Sequence, residues 1–335
     1  MVGGFFMNQQ PHTLVCTVGT SLFHPNLDNI DQRLAQNTNV PWAESLQACK
    51  EAYELRNWTE LGRALVPIPV DDRLCGAEIN SIAAMVRRGF LGEDRARLIL
   101  LVSETEEGKA IGQVLKTYFE HEKCPLRFQA AVYKEVKGLQ DADPERFRRD
   151  GLCNLMRSLG HEIRQWGANH MAINATGGYK AQIALAVALG QAARCAVYYK
   201  HERFDQVIRF PQVPFSLDLT LVHQYKGLWA DLAEPDNLER CERLDQELGK
   251  KPLDREAIEP MLEKEDVDSQ SVVALSALGL VYWEAYLTQN PKTSLTPPMT
   301  EKRHGCKFRD DHYPKGFKDY VQRVYEAFPK WVKEC

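Results

Sequence analysis

The sequence predicts an α/β protein: a Rossmann-like, mostly parallel sheet flanked by helices, followed by a smaller, mainly helical domain of possible winged-helix type. Three observations predict it. Short apolar runs alternate with stretches of helical spacing through roughly the first two-thirds of the 335 residues, the order that lays down parallel strands with covering helices. One run, Arg97 to Val102 (RLILLV), is apolar almost without interruption, as a central strand buried on both faces is. A third run, Met171-Ala172-Ile173, passes through Asn174-Ala175-Thr176-Gly177-Gly178-Tyr179-Lys180 directly into an Ala/Leu/Ile-rich helical stretch, which reads as strand, tight glycine turn and helix.

Taken in order, Thr13 to Val18 is a short β-rich strand that ends in Gly19-Thr20-Ser21. Asp28 to Asn39 is polar and expected as loop, while Trp42 to Leu65 has helical spacing and stops before Pro67 and Pro69. Gly76 to Arg88 puts Ile79, Ile82, Ala83 and Val86 on one helical face. The strand Arg97 to Val102 runs into Ser103-Glu104-Thr105-Glu106-Glu107-Gly108, and a helix through Ile111, Val114, Leu115, Tyr118 and Phe119 follows. Phe128 to Val132 is expected as a strand and Pro144 to Trp166 as a long amphipathic helix. After the Gly177-Gly178 turn, Ala196 to Lys200 and Gln206 to Phe210 read as two strands closing the sheet as an antiparallel hairpin. Pro211 and Pro214 mark a change of composition, beyond which helices are expected over Asn237 to Leu248, Arg255 to Lys264 and Val272 to Leu287. A proline-rich hinge covers Pro291 to Pro298, and an amphipathic segment carrying Phe317, Tyr320, Val321, Val324, Tyr325 and Phe328 closes the chain. The domain boundaries that result are 10–220 for a ligand-binding α/β domain, 227–290 for a helical or winged-helix-like domain and 299–335 for a terminal helical segment.

Composition narrows the class. With 44% apolar and 26% charged residues the chain is ordinary globular material, and a formal charge of -4 argues against broad, nonspecific binding to duplex nucleic acid while leaving room for a local basic pocket. Nine cysteines are scattered without CxxC pairs or metal-ligand spacing, the usage of reduced cytosolic thiols. The opening MVGGFFMNQQPH is not a secretion signal, and no apolar run reaches membrane-spanning length. The expectation is a cytoplasmic protein with no membrane segment and no metal site.

The candidate chemistry lies in the three loops. In a doubly wound sheet, ligands bind beyond the carboxyl ends of the strands, which is where all three loops fall. Gly177 and Gly178 let the backbone turn sharply and approach a ligand closely, and the helix that follows offers unpaired N–H donors and positive dipole to an anion. Lys180 sharpens the reading, because a cation in a first helical turn is disfavoured by roughly 0.3–1 kcal/mol unless an anion accompanies it. The plain alternative is a βα turn with a solvated lysine. The string is not a P-loop, and the carboxylates of the second loop, Glu104, Glu106 and Glu107, suit a helix start without any catalytic role.

The blocks LVCTVGTSL, LLVSETEEGKAIGQVLKTYFE and NATGGYKAQIALAVALGQ, followed by YYKHERFDQVIRFPQVPFSLD, resemble the CRISPR-associated Rossmann-fold (CARF) proteins of type III CRISPR systems, over about Leu14 to Asp218. The resemblance implies a homodimer that binds one cyclic oligoadenylate, most often cyclic tetraadenylate, across its two-fold axis, with no other cofactor. Carried onto this sequence it implies ligand binding by Thr17, Gly19, Thr20 and Ser21 in the first loop, by Ser103 and Thr105 in the second, and by Asn174, Thr176, Gly177, Gly178 and Lys180 in the third. Some family members also cleave their ligand slowly without metal, and their catalytic serine and lysine match Ser21 and Lys180. No strong general base is visible in the loops; His12, His24 and His201 are the candidate helpers. The carboxyl-terminal third resembles the family less. The alternative is the sensor part of a ring-activated ribonuclease effector, for example a RelE-like messenger-RNA interferase, whose toxin domain would follow residue 335. HEPN spacing does not occur at Arg303, Arg309 and His312, and no restriction-type D…E-x-K core is evident. A nicotinamide-dependent oxidoreductase is disfavoured because no G-x-G-x-x-G follows the first strand. DNA binding is disfavoured because no helix of the last third clusters Arg, Lys, Asn or Gln.

Overall fold

The computed structural model of the protein describes residues 10–37, 39–201, 204, 206–213, 217–234, 239–249, 251–267, 270–291 and 317–327. Its organising element is a six-stranded sheet of β1 (Thr13–Thr17), β2 (Arg97–Ser103), β3 (Ala130–Val136), β4 (Met171–Asn174), β5 (Ala196–Lys200) and β6 (Val207–Arg209), in the order β3-β2-β1-β4-β5-β6. All neighbours are parallel except β5 and β6. β1 is buried throughout, and its side chains alternate between two apolar layers: Leu14 and Cys16 face one, Val15 the other. Strand order reverses on either side of β1, so the crevice between the carboxyl ends of β1 and β4 is the topological switch point of the sheet.

Helices cover both faces. On the Leu14 side pack α1 (Ile30–Gln36), α2 (Ala43–Glu54), α3 (Trp58–Ala64), α4 (Gly76–Arg87) and α5 (Glu106–Glu120). The Val15 side carries α7 (Leu152–Trp166), preceded by the short α6 (Pro144–Arg146), and α8 (Lys180–Ala192). The expected loop over 28–39 contains α1, because Ile30 and Leu34, one turn apart, both find the core. The single helix expected over 42–65 is two: Arg56 takes a φ of 53°, and the Asn57 side chain then caps α3 by accepting the Glu60 N–H at 3.2 Å. β3 begins later than expected and runs through Tyr133-Lys134-Glu135, an edge strand whose polar residues conceal it; Phe128 packs against Phe119 instead.

The last third is less helical than the sequence suggests. After α9 (Thr220–Gln224) and α10 (Lys226–Ala233) come β7 (Glu239–Arg240), α11 (Cys241–Leu248), α12 (Pro252–Ile258), β8 (Leu262–Val267), β9 (Gln270–Leu275) and α13 (Ala277–Gln289). The helix expected over 255–264 ends at Ile258, Pro260 lies in a short 3-10 turn after it, and Leu262 enters a strand. The helix expected over 272–287 is a strand followed by a helix. β-Branched Val272 and Val273 pair with β8, and Ser276 caps α13 by accepting the Gly279 N–H at 3.2 Å. Strands β7, β9 and β8 pair antiparallel, in that order, as a small second sheet among these helices. Leu244, Leu248, Ile258, Val273 and Leu275 share one apolar cluster with Val15 and Ile173, and α13 lies on α7 and α8, so Met1–Asn290 is one compact unit. The second unit, Pro291–Cys335, holds α14 (Phe317–Ala327), which carries Tyr320 and Val321. The hinge prolines beyond Pro291, the HEPN-like Arg303, Arg309 and His312, and Phe328 lie outside the described residues, as does Pro214.

Candidate functional site

The three loops meet at the switch point, and the first and third are laced together through their backbones. Thr17 Oγ1 donates to the Gly177 carbonyl at 2.6 Å. A Cβ on Gly19 would stand 2.7 Å from the Gly178 nitrogen, and one on Gly177 would stand 2.7 Å from both the Gly19 nitrogen and the Thr17 carbonyl oxygen. These glycines are therefore demanded by the close approach of two backbone segments. Gly178 has in addition a φ of 93°.

Several predicted ligand residues spend their polar groups on building this junction. Asn174, buried, donates to Ser81 Oγ at 2.7 Å and accepts from Thr176 Oγ1 at 2.6 Å, and Thr176 Oγ1 also receives the Lys200 N–H at 3.0 Å. Ser21 Oγ accepts the Ala77 N–H at 2.9 Å, satisfying the first turn of α4. Thr105 Oγ1 accepts the Gly108 N–H at 3.0 Å as the cap of α5 and shares a 2.7 Å hydrogen bond with Ser103 Oγ. Thr20, Gly178 and Lys180 are exposed.

The third helix is treated differently. α8 has Tyr179 at its N-cap with no side chain bonded to the first turn, and among the described residues the Lys180 and Ala181 N–H groups have no partner. Lys180 is its first residue and has no ion-pair partner among the described residues. Of the three junctions, this one keeps free donors, a positive helix end and an ammonium together at the surface.

Two buried acceptors lie directly beneath it. Glu78, on α4 and fully buried, accepts the Gly19 N–H through Oε1 at 2.8 Å, while Oε2 has no partner. Burial pushes its carboxyl up to about 7, opposed in part by the Gly19 N–H. Gln182 Oε1, also buried and unpartnered, occupies the space a Cβ on Gly178 would need, 1.9 Å from it. Neither is a candidate in the sequence reading. The available signal is an acidic residue one turn before Ile82, inside an apolar helical stripe.

The acidic residues of the second loop are engaged in ion pairs. Glu104 meets Arg146 at 2.6 Å, Glu106 meets Lys109 at 3.1 Å, and Glu107 meets His24 Nε2 at 3.0 Å. His24 Nδ1 also pairs with Asp28, whose carboxylate raises the imidazole pKa above its ordinary value. His24 thus ties the first loop to the second. His12 lies at the opposite end of the strands, stacked on His170 at 5.5 Å, and His201 packs against Phe204 beyond β5. Tyr179 rests edge-on against Phe147 at 5.0 Å, and burial together with Asp141 pushes its phenol up to about 12.

With this geometry in place, residues 73–213 match a protein family described as CRISPR-associated protein (Cas_APE2256). The matched span covers β2 to β6 with the second and third loops, somewhat under half of the chain, and supports a CRISPR-associated protein. Among the described residues no helix is long and apolar enough to cross a membrane.

Proposed function

Proceeding from that CRISPR-associated match, we propose that the protein binds a cyclic oligoadenylate, cyclic tetraadenylate by preference, across a homodimer, and cleaves it slowly without metal. The carrying observation is the uncapped start of α8, where Gly178, the free Lys180 and Ala181 N–H groups and the Lys180 ammonium converge at the switch point. In the cleavage step a ribose 2′-oxygen attacks the adjacent phosphorus in line, and the bond from phosphorus to the 5′-oxygen breaks. The 2′ proton passes to solvent, the leaving oxygen takes a proton, and a 2′,3′-cyclic phosphate remains. The α8 donors and Lys180 stabilise charge on the phosphate. Ser21 Oγ, which accepts from Ala77, keeps its own proton to donate to a phosphate oxygen. Glu78 is occupied with Gly19 and buried, and the second-loop carboxylates are paired, so no poised base assists and the rate is low. Incubation with cyclic tetraadenylate followed by chromatography tests this. Linear product accumulating slowly in the presence of a chelator is expected; intact ligand after long incubation with excess protein removes the cleavage step, and no binding at micromolar concentration removes the whole reading.

A second reading, the sensor part of a ribonuclease effector, is favoured by one feature: α8 packs on α13, which ends at Gln289, immediately before the second compact unit. Ribonuclease activity that appears only with cyclic tetraadenylate, in a protein extended beyond residue 335, would select it.

A further inference from the structure

At the other end of the sheet, beyond the amino-terminal ends of β1, β4 and β5, the surface opens into a cleft of about 400 Å³. Three arginines line it from three different elements: Arg88 follows α4, Arg194 follows α8, and Arg209 lies on β6. None has an acidic partner among the described residues. Three aromatic side chains share the same walls. Phe90 and Tyr198 lie with ring centroids 4.9 Å apart, and Phe210 follows Arg209. Tyr198 is 2% exposed, and its hydroxyl has no hydrogen-bond partner among the described residues.

A cation at the carboxyl end of a helix complements the dipole there, which accounts for one arginine after α4 and one after α8. It does not account for Arg209, which stands on a strand directly opposite Tyr198 in the β5–β6 register. Nor does it account for the backbone of Arg194, which holds a φ of 57° where a glycine would sit without strain. Guanidinium groups brought together without carboxylates repel one another, and the arrangement is relieved by an anion able to accept from more than one fork. The aromatic walls add a face on which a planar ring can stack. The volume lies in the range of small-ligand pockets.

We propose that this cleft is a second binding site, separate from the loops at the switch point, that takes a nucleotide: its phosphate on Arg88, Arg194 and Arg209, its base against Phe90 and Phe210, with Tyr198 backing Phe90. The two sites are divided by the length of the strands, about 16 Å for a five-residue strand, so a ligand at one does not touch the other.

The test is titration calorimetry of the full chain with AMP, ADP and inorganic phosphate. Lys180→Ala is carried alongside, so that nucleotide held at the loops is not counted as binding in the cleft. AMP and ADP should bind with equal affinity to wild type and Lys180→Ala, and the double variant Arg194→Ala/Arg209→Ala should lose about ten-fold or more of that affinity. All three arginines are exposed, so these changes should leave thermal unfolding nearly unmoved. Absence of AMP and ADP binding at millimolar concentration, or affinity unchanged in the double arginine variant, overturns the site. Inorganic phosphate binding as tightly as AMP overturns the nucleotide assignment, because the aromatic walls would then contribute nothing.

Discussion

Lys180 is the first residue of α8 and Glu78 Oε1 lies against Gly177, so the exposed cation and the buried carboxyl both bear on the Gly177-Gly178 turn. The ammonium stands at an uncapped helix start, where a charge-assisted hydrogen bond to a phosphate is worth about 1.5–3 kcal/mol. Lys180→Ala should therefore weaken cyclic tetraadenylate binding about ten-fold or more in calorimetry at physiological salt, with unliganded stability unchanged or slightly raised, since a cation leaves a positive helix end. Ser21→Ala should behave differently, because Ser21 Oγ also receives the Ala77 N–H. It should slow any cleavage more than it weakens binding, and it should cost about 1 kcal/mol in denaturant unfolding, a loss the lysine variant does not share. Glu78 carries the pH dependence. The ordinary carboxyl value is 4.5 and burial raises it to about 7, so between those values the folded chain holds a proton that the unfolded chain has released. Stability therefore falls as pH rises through that window. The neighbouring Cys16 thiol, itself pushed up by burial, stays neutral there. Glu78→Gln should be close to neutral at pH below 5 and stabilising at pH 8, and it should bind the ring more tightly than wild type at pH 8 by removing an anion under the phosphate site. Weaker ring binding by Glu78→Gln at both pH values would show that the carboxylate acts by holding Gly19 in place. The glycines and the lysine were legible in the sequence because a turn and a helix start leave local signatures. Glu78 and Gln182 were not, since what singles them out is burial against residues far away in the chain or across a turn.

Among the elements, strands buried on both faces, such as β2 and β4, were read from their apolar runs, and the edge strand β6 was read from its hairpin spacing after β5. The misread ones are at edges or in the small sheet. β3 carries Lys134 and Glu135, and β8 carries Glu263-Lys264-Glu265-Asp266, so neither shows an apolar run. β9 reads as helix because its apolar residues continue without a break into α13, and only Ser276 marks the boundary. α12 exposes Glu256 and carries Asp254, so it does not present the clustered basic side chains that nucleic-acid recognition needs. What joins this region to the six-stranded sheet and its helices is α13. It crosses α7 at Gly160, where a Cβ would stand 2.1 Å from Glu284 Oε2 and 2.7 Å from Glu284 Cγ. Glu284 cannot swing aside freely, because it is buried and paired with Arg164. Gly160→Ala should force α7 and α13 apart and cost about 1–3 kcal/mol in chemical denaturation. Combining it with Glu284→Ala should recover part of that loss relative to the sum of the single changes, because the second substitution removes the obstructing side chain. Additive losses would mean that the two helices do not meet at this point in solution.

At the scale of the whole molecule, one chain supplies one uncapped α8 terminus, and that terminus has donors and charge for one phosphate. A cyclic tetraadenylate carries four. A single chain would leave most of the ring's charge facing water, whereas two chains related by a two-fold axis place the same loops on opposite sides of it, and a ring with repeated phosphates is matched by a site made twice. α8 itself offers little polar surface for any other purpose. Between Ala181 and Ala188 its only polar side chain is Gln182, which is buried, while Tyr179, Ala181 and Ala184 are exposed next to the loops. An apolar, exposed stretch beginning at the proposed anion site is suited to contact with its own symmetry copy, since such a contact would bring both lysines to one ligand. The stoichiometry decides this. Calorimetric titration with cyclic tetraadenylate should saturate at one ring for every two chains, and sedimentation of the complex should give twice the 38.2 kDa chain mass. Because each ring would then engage both Lys180 ammonium groups, a mixed dimer of one wild-type and one Lys180→Ala chain should bind with an affinity between those of the two parent dimers. Saturation at one ring per chain, with a complex of single-chain mass, would reject the two-fold site even if Lys180 still proved essential for binding.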